Sequence, residues 1–221
     1  MSGFATARQK MVDGQVRTSD VTDRRILDAM LAVPREAFVP ASRQALAYLD
    51  LDLDVAEGGS AKRYLIKPAL TAKLLQAAEI GEADHVLVVG CATGYVAALA
   101  ARLAAQVTAT ESDSALAAKA KSNLAALGFA NVACAAAPCA DGDPAAAPYD
   151  VIIVNGATEV TPSTLFEQLK EGGRLIGVSA ETTPQRAMIV TRAHGEFGHR
   201  ALFDAAAPVL PGLTRAPAFV F

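Results

Sequence analysis

The sequence contains no tryptophan, and only 5% of its residues are aromatic. Its core must therefore be aliphatic: 52% of the 221 residues are hydrophobic, alanine foremost. Long apolar runs are also missing, because Gly, Thr and Arg interrupt each one before the roughly 18 residues that a membrane helix needs. No membrane span is expected. Cysteine is scarce, and Cys91, Cys134 and Cys139 fit neither a disulfide framework nor a Cys-x-x-Cys metal site. A reducing, cytoplasmic home is the simplest expectation. Basic charge is not in excess, with 20 Lys and Arg against 23 Asp and Glu, which removes the electrostatic footprint of a nucleic-acid binder. No apolar stretch follows Arg8 and Lys10, so no signal peptide is expected.

What the chain does hold is the stretch His85 to Glu111, HVLVVGCATGYVAALAARLAAQVTATE. Val86-Leu87-Val88-Val89 is apolar throughout and reads as a strand covered on both faces, as in a parallel sheet. Gly90 and Gly94 bracket a turn where a missing Cβ lets backbone approach a ligand. A helix follows from Gly94 toward Gln106, and a second strand ends in Glu111. That acid stands 21 residues after Gly90, near the spacing at which a nucleotide-binding βαβ unit sets a carboxylate against ribose hydroxyls. A Gly-x-x-x-Gly turn also serves packing alone. The dinucleotide fingerprint needs further glycines where this chain has Ala92 and then Val96 or Ala97. S-adenosylmethionine has no pyrophosphate, so the spelling favours that cofactor over NAD, with Gly90, Cys91, Ala92, Thr93, Gly94, Tyr95, Glu111 and Ser112 as its candidate ligands.

Around this unit the signals alternate between helix and strand, which predicts an α/β fold with a doubly wound, mostly parallel, Rossmann-like sheet. A helical arm is read from about Phe4 to Arg17, then a helix capped by Thr22 and stopped by Pro34, with Phe38-Val39-Pro40 extended. Leu49 to Asp54 alternates as a short strand or an exposed loop, its three Asp read as solvated. Gly58-Gly59 marks a turn, and Pro68 opens a helix to about Ala78. A helix from Asp113 to Leu127 is capped at Ser112 or Asp113, and strands follow at Asn131 to Ala137 and Tyr149 to Asn155. Asn155 reads as a site residue at a strand's carboxyl end or as a turn former. A short helix over Pro162 and Leu165 to Leu169 precedes a double-Gly turn and strand in LKEGGRLIGV. Arg186 to Arg192 and His199 to Ala207 read as a hairpin joined by AHGEFG, with His194, Glu196 and His199 a solvated tip and no metal expected. The segment from Pro208 closes the chain in extended form. Residues 1–80 are taken as arm and substrate-side loop, and 81–221 as the cofactor-binding unit.

The segment from Met11 to Pro40, MVDGQVRTSDVTDRRILDAMLAVPREAFVP, closely resembles the N-terminal arm of protein-L-isoaspartate O-methyltransferases. The shared landmarks are Met11-Val12, Gln15 and Arg17, Thr22-Asp23, Val33-Pro34-Arg35 and Phe38-Val39-Pro40. LKEGGRLIGV is another landmark of this methyltransferase class. The resemblance implies an S-adenosylmethionine-dependent methyltransferase that acts on isoaspartyl carboxylates of damaged proteins; the balanced charge and the lack of long apolar runs speak for no nucleic acid and no membrane as partners. It also marks departures. Ile66 stands where the family carries a substrate-positioning Ser, which leaves Tyr64, Ile66 and Lys67 as substrate-loop candidates. Arg63 and Lys67 read as solvated loop cations or as a carboxylate clamp. Pro138 and Cys139 stand where the family's Asp-Gly contacts adenine. A different acceptor, or a non-catalytic homologue with weak or no cofactor binding, is the alternative that these departures prompt. A carboxylate acceptor is ionised at neutral pH and needs no general base, so the lack of a recognisable His or Glu base is consistent with this chemistry.

Overall fold

The computed structural model describes residues 3–57 and 62–216. The turn expected at Gly58-Gly59 lies outside them. Helix α1 spans Gly3–Met11 and continues through a wider turn at Val12–Val16 and a tighter one at Arg17–Ser19. Helix α2 spans Arg24–Ala32. Its cap is Asp23, one residue later than expected: the Asp23 carboxylate accepts from Arg25 N at 2.8 Å, and Thr22 N is taken by the Gln76 side chain at 2.7 Å. Strands β1 (Leu53–Asp54) and β2 (Tyr64–Leu65) form a small antiparallel pair ahead of α3 (Pro68–Ala78), which has proline in its first turn as expected. The acidic run is not simply solvated. Asp52 accepts from Lys67 N at 2.9 Å, so it supports the backbone leading into α3.

The main sheet contains β3 (His85–Val89), β4 (Gln106–Glu111), β5 (Val132–Ala136), β6 (Tyr149–Thr158), β7 (Leu169–Ser179), β8 (Arg186–Ala193) and β9 (Glu196–Asp204). Their order is β5-β4-β3-β6-β7-β8-β9, parallel as far as β7 and antiparallel beyond it. Helices α4 (Tyr95–Ala101), α5 (Ser114–Ala126) and α6 (Ser163–Phe166) complete the chain. Burial of both sheet faces explains the apolar run in β3. Val86 and Val88 join a cluster with Met11, Ile26, Met30 and Phe38 of the arm region, while Leu87 and Val89 join one with Leu165, Phe166 and Leu210. The arm thus shares a core with the sheet.

Three expectations are corrected. Helix α4 ends at Ala101, short of Gln106. Leu169 is already the first residue of β7, opposite Tyr149, so no helix runs into the double-Gly turn. The hairpin loop is a tight two-residue turn, His194-Gly195, both at positive φ, and the Glu171 carboxylate accepts from both their backbone N–H groups.

Candidate functional site

The turn after β3 is shaped by backbone geometry first. Gly90 has φ +69° and Gly94 φ +100°, both in the left-handed region that suits glycine. Ala92 shares that region at φ +51°, which costs an L-residue about 1–2 kcal/mol. The cost is offset by what the bend presents: Ala92 N donates to Glu111 Oε2 at 2.7 Å, across from the end of β4. Glu111 therefore faces the bend, as its spacing from Gly90 predicts. Its Oε1 also accepts from the Ser112 hydroxyl at 3.1 Å and from Asp113 N at 3.2 Å. Asn155, within β6, donates from Nδ2 to Gly90 O at 2.9 Å and pins the other side of the turn.

The remaining candidates look elsewhere. Thr93 donates its hydroxyl to Phe38 O at 2.6 Å. At Gly94, a Cβ would sit 3.3 Å from Ala120 and Leu124, so this glycine serves the approach of α4 to α5. Tyr95 is buried against the arm, its ring 5.5 Å from Phe38 and 4.8 Å beneath the Arg35 guanidinium. Pro138 lies just past β5 and its carbonyl accepts from Asp141 N at 3.1 Å. Cys91 is buried, its Sγ 4.0 Å from Cys134 Sγ. Of the substrate-loop candidates, Ile66 is buried in the core and its carbonyl accepts from Arg35 and Thr71. Tyr64 and Lys67 are half-buried. The cations of that loop part company at Arg63: it is not a solvated charge but is 3% exposed.

Arg63 closes the site. Its Nε donates to Glu111 Oε1 at 3.0 Å and its Nη2 to Oε2 at 2.7 Å, a two-pronged fork on a fully buried carboxylate. Burial alone would push the Glu111 carboxyl up, but Arg63 and the backbone N–H groups of Asp113 and Ala92 hold it below its ordinary value. A Cβ built on Gly90 would lie 2.9 Å from Arg63 Nη2 and 2.9 Å from Leu210 Cδ2. One built on Gly156 would lie 2.6 Å from Leu210. The concavity left by the two glycines therefore receives this chain's own side chains. Sequence reasoning missed Leu210 because it comes from the closing segment, where Val209 bridges to Ala157 in parallel fashion.

These residues have the right groups for an adenosyl ligand: a carboxylate that can accept from ribose hydroxyls and a turn opened by glycines at 90 and 94. In this conformation they do not admit one. Both oxygens of Glu111 are bound by Arg63, and the space over Gly90 is filled. A cavity of about 150 Å³ is lined by Phe38, Thr93 and Leu116 among others. It is smaller than the ≈ 300 Å³ at which small-molecule pockets begin.

Residues 6–205 match the protein family described as protein-L-isoaspartate(D-aspartate) O-methyltransferase. The chain belongs to this family. Its members are S-adenosylmethionine-dependent methyltransferases. The chain is 38% identical to the protein-L-isoaspartate O-methyltransferase of Koribacter versatilis over 92% of its own length and 90% of that protein's. It is 38% identical to protein-L-isoaspartate O-methyltransferase 1 of Rhodopseudomonas palustris over 86% and 77%. A solved protein-L-isoaspartate O-methyltransferase superposes with a TM-score of 0.83 at 27% identity, covering 94% of this chain and 67% of that one. A Plasmodium falciparum protein solved in complex with S-adenosyl-L-homocysteine shares the fold with a TM-score of 0.76 at 17% identity, covering 95% and 99%. Among the described residues of this family member, no helix is long and apolar enough to cross a membrane.

Proposed function

We propose that this chain is a carboxyl O-methyltransferase acting on isoaspartyl residues of protein or peptide substrates. The observation that carries the reading is the family match across residues 6–205. Glu111, turned toward the bend at Gly90, supports it. Gly90, Ala92, Glu111, Ser112 and Asn155 are the side of the site we assign to the cofactor. The chemistry asks little of this chain's own residues beyond alignment and exclusion of water, because a carboxylate acceptor has already lost its proton near neutral pH. We also place the protein in the cytoplasm, a proposal that rests on its free thiols. Incubating the purified chain with methyl-labelled S-adenosylmethionine and a matched pair of isoaspartyl and aspartyl peptides tests the substrate. Label confined to the isoaspartyl peptide is the expected result. Label in neither peptide, from a chain that binds the cofactor, would sink this acceptor and leave a different one.

One observation favours a second reading, a family member that keeps the fold without taking the cofactor: the space over Gly90 is already filled by Arg63 and Leu210. Calorimetric titration with S-adenosylmethionine separates the two, since this second reading requires no heat even at millimolar cofactor.

A further inference from the structure

We infer that Arg63 and Leu210 form an intrachain gate on the cofactor site, with Arg63 competing directly for the carboxylate that holds the ribose. The inference rests on the methyltransferase reading above and adds a control to it. Its basis is the coincidence of two blocks from distant parts of the chain over one glycine turn. Arg63 spans 48 positions to fork the buried Glu111 carboxylate, and Leu210 fills the hollow that Gly90 and Gly156 leave.

The parts that carry the two plugs are anchored, while the plugs themselves are side chains. Arg63 O accepts from Val55 N at 2.7 Å beside the β1–β2 pair, which fixes the Arg63 backbone. Leu210 N donates to Ala157 O at 2.9 Å, and Pro208 O accepts from Ala157 N at 2.8 Å. Opening is therefore a rotation of two side chains about fixed backbones, not an unfolding of either segment. Glu111 need not move, because Ala92 N, Asp113 N and the Ser112 hydroxyl keep it aimed at the bend after Arg63 leaves. A ribose diol then takes up the acceptor oxygens that the guanidinium gives up, so one carboxylate serves the closed and the open state in turn. The closed form is the lower in energy without cofactor, since a buried carboxylate left without its cation is costly.

Calorimetric titration of the full chain with S-adenosyl-L-homocysteine, compared with Arg63→Ala and Leu210→Ala, tests the gate. Thermal unfolding confirms that each variant is folded. Leu210→Ala leaves the ion pair intact and so stands in if Arg63→Ala fails to fold. The expected result is binding at least tenfold tighter in the folded variants than in the unaltered chain. Adding Glu111→Gln to Arg63→Ala is expected to abolish that gain, because the carboxylate is the contested group. If the unaltered chain binds as tightly as both variants, or if the gain survives Glu111→Gln, the gate is wrong and the methyltransferase reading stands. If neither the chain nor any folded variant binds at millimolar concentration, the cofactor assignment falls and the gate falls with it.

Discussion

Arg63 Nη2 lies 2.7 Å from Glu111 Oε2 in a pair that is almost wholly screened from water. Removing one partner of such a pair strands the other charge, which typically costs about 3–5 kcal/mol. Arg63→Ala is expected to lose stability in that range, read from urea unfolding at neutral pH. The acid limb of the same experiment follows from the sign of the shift. The folded Glu111 carboxyl titrates below the ordinary 4.5, so its contribution is full above that pH and is lost as pH falls through the lower folded value. In Arg63→Ala the cation that holds the carboxyl down is gone, and acid sensitivity should begin at higher pH. An unchanged acid limb would mean that the pair does not set the protonation of Glu111.

Gly90 and Ala92 should respond in opposite directions. Gly90→Ala places a methyl against Arg63 and Leu210 at a backbone φ of +69°. Strain and overpacking together predict a loss of about 2–4 kcal/mol. Ala92→Gly relieves a left-handed alanine, and the expected gain is up to about 1 kcal/mol. Midpoints of chemical unfolding measure both, and a destabilising Ala92→Gly would refute the strain argument.

Arg35 is a strut and not a substrate ligand. It is 1% exposed, donates from Nε to Ala47 O at 2.8 Å and from Nη2 to Ile66 O at 2.9 Å, and covers the Tyr95 ring. Burial works to lower its pKa. Arg35→Ala takes a donor from Ala47 O and one of two side-chain donors from Ile66 O, and it empties a large volume, so a loss of about 3 kcal/mol or more is expected from thermal or urea unfolding. Arg35→Lys cannot supply the planar fork and should recover only part of it.

Ile66→Ser introduces the residue type that the family resemblance implies at this position, yet Ile66 belongs to the core. Truncating it and burying a hydroxyl is expected to cost about 2–5 kcal/mol. Methyl incorporation into an isoaspartyl peptide should not rise. A rise would place the Ser position in the acceptor site after all.

Much of the chain was legible in order. The apolar run Val86 to Val89, the glycines at 90 and 94, the acid at 111 and proline at 68 each constrain local backbone or burial, and they landed in a strand, a turn, a strand end and a helix start. The arm's landmark residues were legible as a motif but not in their purpose. Gln15 donates to Tyr48 O, Asp23 caps α2 and Arg35 braces Tyr95, so much of that motif serves to dock the arm.

Periodicity and spacing act within a few tens of residues, and they fixed the sheet strands, the turn and the acid that faces it. What stands over that turn was decided by contacts between residues 48 and 120 positions apart, Arg63 with Glu111 and Leu210 with Gly90. A charged side chain in a loop gives no sign in the sequence of whether it meets water or a buried carboxylate, because its partner is chosen only when distant segments pack together.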